Sequence, residues 1–490
     1  MVSRKVGRSA VESFQHLINI IVECKKQSEI VKVFKIRKHN TWINDEVLQM
    51  MKQRDKLYKE KVKNPNNIAF KAIKNKVNNK IKVLKSQYFR NKWEQAGNDV
   101  RKQWKFVNSF IGNNNESSIK SLKISGIEII LIPEMADSFN QHFSRVGSTI
   151  VEQLEQEIVN LNHDITCNEV YCENSLFLSL TSEQEIQEII LELKKDSAPG
   201  YEKITVKDIL NLKDVLSTSL TELVNQVLLC GVFPPELKVN KITPIYKAGA
   251  RDSMNNYRPI SVTSVFSKII DKIIKKRMLS FINKYVLYDE FQYGFLKNSS
   301  TLSATVDFIN FVSRALDDNN IVVAVFVDLR KAFDVVSFDV LFKKLEKMGF
   351  RGIILSLIKT FLENRQQYVT INNVNSGKLS STCGMPQGSV LGPLLYSIYV
   401  YNLHRANLSA QYFSFADDTV LVYTGTSERT LNSDINADLK SYLNWLYSNK
   451  LKINIDKTKY IVFKQKNKDV VNMGLKIKDT LLQQVSEIKY

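Results

Sequence analysis

The sequence predicts an α+β fold preceded by a basic helical extension, and three observations carry that expectation. Ile321-Val322-Val323-Ala324-Val325-Phe326-Val327 is a continuous apolar run closed by Asp328, the pattern of a fully buried strand with a carboxylate at its exit. Phe415-Ala416-Asp417-Asp418, followed by Thr419-Val420-Leu421-Val422-Tyr423, reads as strand, tight turn and strand, with both acids at the turn. Residues 45–93 instead carry apolar side chains at three- and four-residue steps among lysines, the mark of amphipathic helices.

In chain order, a helix is expected over 45–62, with Asn44 as its N-cap and Val47, Leu48, Met51 and Tyr58 on one face. Asn64-Pro65-Asn66-Asn67 breaks it, and a longer helix runs to about Trp93. Its stripe is Phe70, Ile73, Val77, Ile81, Leu84 and Tyr88. Residues 112–178 read as a loop-rich linker with one short apolar run at 127–132. Thr181-Ser182-Glu183-Gln184-Glu185 starts a helix with a capping box. That helix buries Ile186, Ile189, Ile190 and Leu193 and ends at Ala198-Pro199-Gly200. Another helix spans about 215–229, before Phe233-Pro234-Pro235. Residues 241–247 and 256–262 read as two paired strands, and 434–447 as a helix carrying Leu439, Leu443 and Leu446.

Composition narrows the function classes. The 490 residues suffice for two or three domains, and 44% hydrophobic content supports a substantial core. No run approaches the ~20 apolar residues that span a bilayer, and the N-terminus holds no apolar signal segment. The five cysteines (24, 167, 172, 230 and 383) are scattered, with no second pair or spaced His to complete a zinc site beside Cys167 and Cys172. That is the pattern of reduced thiols in an intracellular protein. The net charge of +19 is concentrated at one end. Residues 1–110 hold 26 lysines and arginines against 9 acids, the rest 43 against 41, and residues 61–90 hold nine basic residues with no acid. A one-signed surface of this density meets a polyanion, here nucleic acid.

The chemistry lies in the two acid-bearing strands. Adjacent carboxylates raise each other's pKa unless a cation lies between them. No His or Cys lies near Asp328, Asp417 or Asp418. All-oxygen ligation by a few carboxylates suits Mg²⁺, and two such ions stabilise the attacking and leaving oxygens of an in-line phosphoryl transfer.

Between these acids stands Gly384-Met385-Pro386-Gln387-Gly388-Ser389-Val390-Leu391-Gly392-Pro393. The order Val-Asp-Leu-Arg-Lys-Ala-Phe-Asp (327–334), then this block, then Phe-Ala-Asp-Asp (415–418) resembles the reverse transcriptases of non-LTR (LINE-type) retrotransposons, jockey-like elements among them. The resemblance runs from about residue 180 to the C-terminus and rests on three motifs in one order. It implies a right-hand polymerase with fingers over 179–320 and a palm over 321–490. The palm is an antiparallel sheet backed by helices, and the thumb is missing or truncated. Residues 1–111 become the basic connector that joins endonuclease to polymerase in such elements, with no endonuclease in this chain. The segment ending Ser486-Glu487-Ile488-Lys489-Tyr490 continues, in similar polymerases, into a primer-gripping hairpin and a helical thumb. Weak, poorly processive extension is therefore the expectation for these 490 residues.

Residue by residue, the resemblance implies that Asp328 and Asp417 ligate two Mg²⁺ ions, with Mn²⁺ as a substitute, and that Asp418 ligates or orients the site. Asp334 caps the local turn or helix. Lys247 and Arg258 hold the triphosphate of the incoming nucleotide, and Lys331 and Lys457 add positive charge near the phosphates. Phe333 lies under the sugar and excludes a 2′-hydroxyl by clash. Gln387 and Gly388 contact nucleotide and template backbone, and Gln292-Tyr293-Gly294-Phe295 contacts the template strand. Family members usually follow Ala198-Pro199-Gly200 with Asp and Gly, where this chain has Glu202 and Lys203. The partners implied are an RNA template, a DNA primer and deoxynucleotides, in a ribonucleoprotein of nucleus and cytoplasm, with no membrane. Two rivals stand beside this reading: another enzyme on a similar palm, such as a nucleotide cyclase, and an element-derived fragment that binds RNA without polymerising.

Overall fold

The computed structural model describes residues 10–28, 42–61, 68–97, 99–111, 119–124, 126–160, 171–285, 291–294, 299–465 and 473–488. The Asn64–Asn67 breaker, Cys167, Phe295 and Lys489-Tyr490 lie outside them. Two compact units form, one of residues 28–118 and one of residues 1–27 with 119–490. In chain order the helices are α1 (Ala10–Ser28), α2 (Asp45–Lys61), α3 (Ile68–Ala96), α4 (Val100–Ile111), α5 (Ile132–Asn160), α6 (Glu183–Glu192), α7 (Val206–Asn211), α8 (Lys213–Cys230), α9 (Val265–Lys284), α10 (Thr301–Asp317), α11 (Phe338–Lys347), α12 (Ile353–Leu362), α13 (Gly392–Val400) and α14 (Glu428–Ser448). The strands are β1 (Leu122–Ile124), β2 (Ile127–Ile129), β3 (Val239–Tyr246), β4 (Tyr257–Val262), β5 (Ile321–Val327), β6 (Arg365–Ile371), β7 (Val374–Asn375), β8 (Leu379–Ser381), β9 (Gln411–Phe415), β10 (Asp418–Gly425), β11 (Lys459–Phe463), β12 (Lys476–Ile477), β13 (Thr480–Leu481) and β14 (Gln483–Gln484).

The smaller unit is helical, as the periodicity predicts. Asn44 accepts the Val47 N–H on its side-chain oxygen at 3.0 Å, and Asp45 and Glu46 place negative charge in the first turn of α2. Phe70 and Val77 of the expected α3 stripe are buried, and the rest of that stripe is partly covered. The basic extension does not run as one piece to residue 111. Phe14, Leu17, Ile18 and Ile21 put the buried face of α1 into the main core of the larger unit, and Lys25 pairs with Asp208 there at 2.8 Å. Those four positions have helical spacing.

In the larger unit, five strands form a sheet in the order β14-β11-β5-β10-β9, which is not wholly antiparallel as expected of the palm, because the short edge strand β14 runs parallel to β11. β5 lies at its centre, antiparallel to both β10 and β11. All seven of its residues are buried because both faces are covered. Val323, Val325 and Val327 join the main core with α9 and α11–α14, while Val322, Ala324 and Phe326 meet Val312 and Ala315 of α10. This explains a continuous apolar run where a one-sided sheet would alternate.

The expected hairpin is β3–β4, with Tyr246 opposite Tyr257 and the Lys247 N–H donating to the Asn256 carbonyl at 2.8 Å. It belongs to a larger sheet, β4-β3-β6-β7, in which β3 runs parallel to β6. α5 packs on this sheet. Residues 112–178 are therefore not simply a loop-rich linker, since they hold the β1–β2 hairpin and a 29-residue helix. Polar Asn140, buried on the inner face of α5, masked the period. It donates to the Gly377 carbonyl at 2.7 Å and accepts from Gln367 at 3.1 Å.

Ser182 caps α6 by accepting the Glu185 N–H, and Ile186, Ile189 and Ile190 are buried, as is Leu193 just beyond the helix. The Glu185 carboxylate does not complete the capping box. It pairs with Arg277 at 2.6 Å and accepts from Thr181 at 2.9 Å. At the departure from the family pattern, Lys203 takes a left-handed φ of 58°, and Glu202 accepts the Val265 N–H at the start of α9.

Candidate active site

Antiparallel pairing of Phe415 with Asp418 leaves Ala416 and Asp417 as a two-residue turn between β9 and β10. Asp417 thus sits in the turn and Asp418 opens the strand. Ala416 has φ of +61°, as at the first central position of a type II′ turn, a strained conformation for a residue with a Cβ. The segment Gln292–Gly294 holds it. The Gln292 side-chain oxygen accepts N–H bonds from Ala416 at 3.1 Å and Gly294 at 2.9 Å, and the Tyr293 N–H donates to the Ser414 carbonyl at 2.7 Å. A Cβ on Gly294 would stand 2.3 Å from the Ala416 nitrogen, so only glycine fits. The sequence pattern offered these residues as a template contact, and this support of the acid turn was missed.

The β10–β5 register sets Thr419 opposite Val327, which brings Asp328, at the exit of β5, across from Asp418. Asp328 accepts the Asn454 side-chain amide at 2.7 Å, and its N–H donates to the Thr458 hydroxyl at 3.3 Å. Asn454 is a further residue that the sequence reading did not single out, because nothing local marks its amide as facing an acid 126 positions away. Burial, then the charge of Asp328, pushes the Asp417 carboxyl above the usual range. Burial, then Asp417 and Asp328, does the same to Asp418. Mutually repelling carboxylates offering only oxygen have the donor chemistry of a divalent-cation site, whose charge would relieve the repulsion, though among the described residues no three acidic, His or Cys side chains stand together closely enough to form a closed metal cage.

Cations face these acids. Lys247 and Arg258 both act to lower the pKa values of Asp417 and Asp418. The Lys331 ammonium is pushed down by burial first and then by Lys247, Arg258 and Lys457, against the opposing pull of Asp334. The four cations expected at the nucleotide phosphates therefore share one electrostatic field.

The Gly384–Pro393 block lies against the 331–336 turn. The Gly384 N–H donates to the Val336 carbonyl at 3.0 Å and the Met385 N–H to the Phe333 carbonyl at 2.8 Å. Phe333 stacks on Tyr396 with ring centroids 4.2 Å apart. Asp334 does not cap a turn or helix with its carboxylate. One oxygen accepts from the Gln387 amide at 2.7 Å, the other is buried without a hydrogen bond, and burial raises the carboxyl pKa. Behind them Asp334, Gln387, Ser261, Asn240 and Arg365 line a cavity of about 50 Å³. Gly388, with φ of +122°, passes so near β4 that a Cβ would lie 2.4 Å from the Ser261 carbonyl oxygen.

The profile of the reverse transcriptase (RNA-dependent DNA polymerase) family matches residues 245–490. The chain is 28% identical over 73% of its length to a probable RNA-directed DNA polymerase from transposon BS of Drosophila melanogaster. It is 28% identical over 63% to the RNA-directed DNA polymerase from the mobile element jockey, and 27% identical over 58% to that of transposon X-element, both of the same organism. It spans 40%, 36% and 32% of those proteins' lengths. With the acid hairpin, the buried strand β5 and the Gln387-Gly388 loop all inside the matched span, the chain belongs to the reverse transcriptase family, as a non-LTR retrotransposon member.

Proposed function

We propose that the chain is an RNA-directed DNA polymerase, adding deoxynucleotides to a primer 3′-hydroxyl on an RNA template with release of pyrophosphate. One observation supports this most: Asp417 and Asp418 feel the charge of Asp328 on one hand and of Lys247 and Arg258 on the other, and those two cations in turn act on Lys331 together with Lys457. Asp328 and Asp417 hold the divalent ions, and Asp418 completes or orients the set. When bound, two Mg²⁺ ions would stabilise the attacking and leaving oxygens of the transfer. Lys247 and Arg258 bind the triphosphate, and Lys331 and Lys457 add charge beside it. Phe333, backed by Tyr396, excludes a 2′-hydroxyl. Positioning and charge do the catalytic work, since phosphoryl transfer asks little covalent chemistry of the protein.

Primer extension by the purified chain on poly(rA) with oligo(dT), with and without a divalent cation, tests the reading. Extension with dTTP that stops on chelation is the expected result. RNA binding without extension under any divalent cation would leave the RNA-binding fragment in its place.

A further inference from the structure

Residues 28–118 hold 21 lysines and arginines against eight acids, and three of the chain's four tryptophans: Trp42, Trp93 and Trp104. Five rings of this unit form one continuous cluster. Trp42 lies 6.0 Å from Tyr88 and 5.7 Å from Phe89, Phe89 lies 5.6 Å from Phe106, and Trp93 lies 6.3 Å from Phe106. A hydrophobic core would hide such rings, yet none of the five is buried, and Trp93 is 48% exposed. Lysines stand over them. Lys85 lies 5.5 Å from the Trp42 ring centre and 5.9 Å from that of Phe89, and Lys92 lies 5.9 Å from that of Tyr88.

We propose that this aromatic and lysine face binds single-stranded nucleic acid, with bases stacking on Trp93 and its neighbours and phosphates held by the surrounding lysines. Half-exposed flat rings offer their surface to an unstacked base. A duplex, whose base faces are already stacked, presents only phosphates and grooves. The large excess of positive charge selects a polyanion over an apolar protein partner. The five rings and their lysines all belong to the smaller unit, whose residues include none of the three acids, so the test does not depend on polymerisation.

Trp445, in the larger unit, is 4% exposed, so tryptophan quenching in the full chain by a contacting base reports on the smaller unit. The chain is titrated with a 12-residue oligo(U), with oligo(dT) of the same length, and with a duplex of that length. Both single strands are expected to quench; tighter binding of oligo(U) would mark RNA as the preferred strand, and tighter oligo(dT) a DNA strand. Trp93→Ala is expected to weaken single-strand binding about tenfold, the scale of one lost base stack, with duplex affinity unchanged. Trp93→Phe is expected to restore most of the loss, which a folding defect of the Ala variant would not explain. Unchanged single-strand affinity in Trp93→Ala, or an equal loss for the duplex, would overturn the proposal.

Discussion

The side-chain amide of Gln387 donates to Asp334 at 2.7 Å, while the Gln387 backbone carbonyl accepts the N–H of Ser261, also at 2.7 Å. One residue thus ties the Phe333-Asp334 turn to strand β4, which carries Arg258. If this tie orients the nucleotide pocket, Asp334→Ala should raise the KM for deoxynucleotides about tenfold, the scale of one hydrogen bond to a charged group, with kcat little changed. Asp334→Asn keeps an acceptor for the amide and should recover most of that loss. Steady-state kinetics on one primer and template separate the outcomes, and equal KM values for wild type and Asp334→Ala would dismiss the tie.

Asp417 tests the acid site. Asp417→Asn keeps the shape of the turn and removes one of three repelling charges. Extension should fall by about a thousandfold or more, a large part of what electrostatic stabilisation supplies at such sites. Melting temperature should hold or rise, because burial and Asp328 already disfavour the charged form. Added Mg²⁺ should raise the melting temperature of wild type and not of the variant. Activity within tenfold of wild type would remove Asp417 from the ligand set.

Phe333 should act as the sugar gate. Its ring is fixed by stacking on Tyr396, so a bulky 2′-substituent cannot push it aside cheaply. Phe333→Val should raise incorporation of ribonucleotides relative to deoxynucleotides by about tenfold or more, since cutting back a packed ring opens a void worth a few kcal/mol. An unchanged ratio, measured by competition in single-nucleotide extension, would reduce Phe333 to packing.

Most of the site was legible because its signals are local. A seven-residue apolar run ending in Asp328 reads as a strand covered on both faces, and two acids between apolar, β-prone residues read as a hairpin tip. What escaped is what depends on distant partners. Gln292 and Gly294 support the turn at Ala416 from more than 120 positions away, and Asn454 reaches Asp328 across the sheet. Asp334 looked like a cap because its only neighbours in sequence are turn residues, and its true partner, Gln387, is 53 positions on. α5 was hidden by polar Asn140 on its buried face, where a hydrophobic period was sought. α1 lies within the stretch read as a basic extension, yet its apolar stripe joins a core formed by residues far along the chain.

An acid-side stability limb should come from Glu185. Arg277 beside it holds its carboxyl at about 2, against an ordinary 4.5, and the pair is nearly enclosed, with side chains 13% and 12% exposed. A depressed carboxyl pKa contributes stability that is fully present above about 4.5 and is lost as pH falls toward 2, because the unfolded chain takes up the proton first. Glu185→Gln should therefore cost about 2 kcal/mol near neutral pH, with the difference from wild type shrinking below pH 4.5. Denaturant unfolding of both chains at a series of pH values reads this, and a difference that stays constant with pH would mean that packing, not charge, holds α6 to α9.

Gly388 distinguishes two roles for the block that carries it. A glycine needed only so that a template can approach could become alanine with no effect on the free protein. Here φ of +122° lies where only glycine is at ease, and the added Cβ would sit 2.4 Å from the Ser261 carbonyl oxygen. Neither partner can yield easily: the Ser261 N–H is bound to the Gln387 carbonyl, and Ser261 lies within β4, paired with Ile242. Gly388→Ala should therefore destabilise the nucleic-acid-free protein by about 3 kcal/mol, the cost of one strongly strained residue, lowering the melting temperature by several degrees. Because the shift separates β4 from the loop, nucleotide KM should rise on every template tested. A variant that melts like wild type yet fails on particular templates would return Gly388 to the role of template contact.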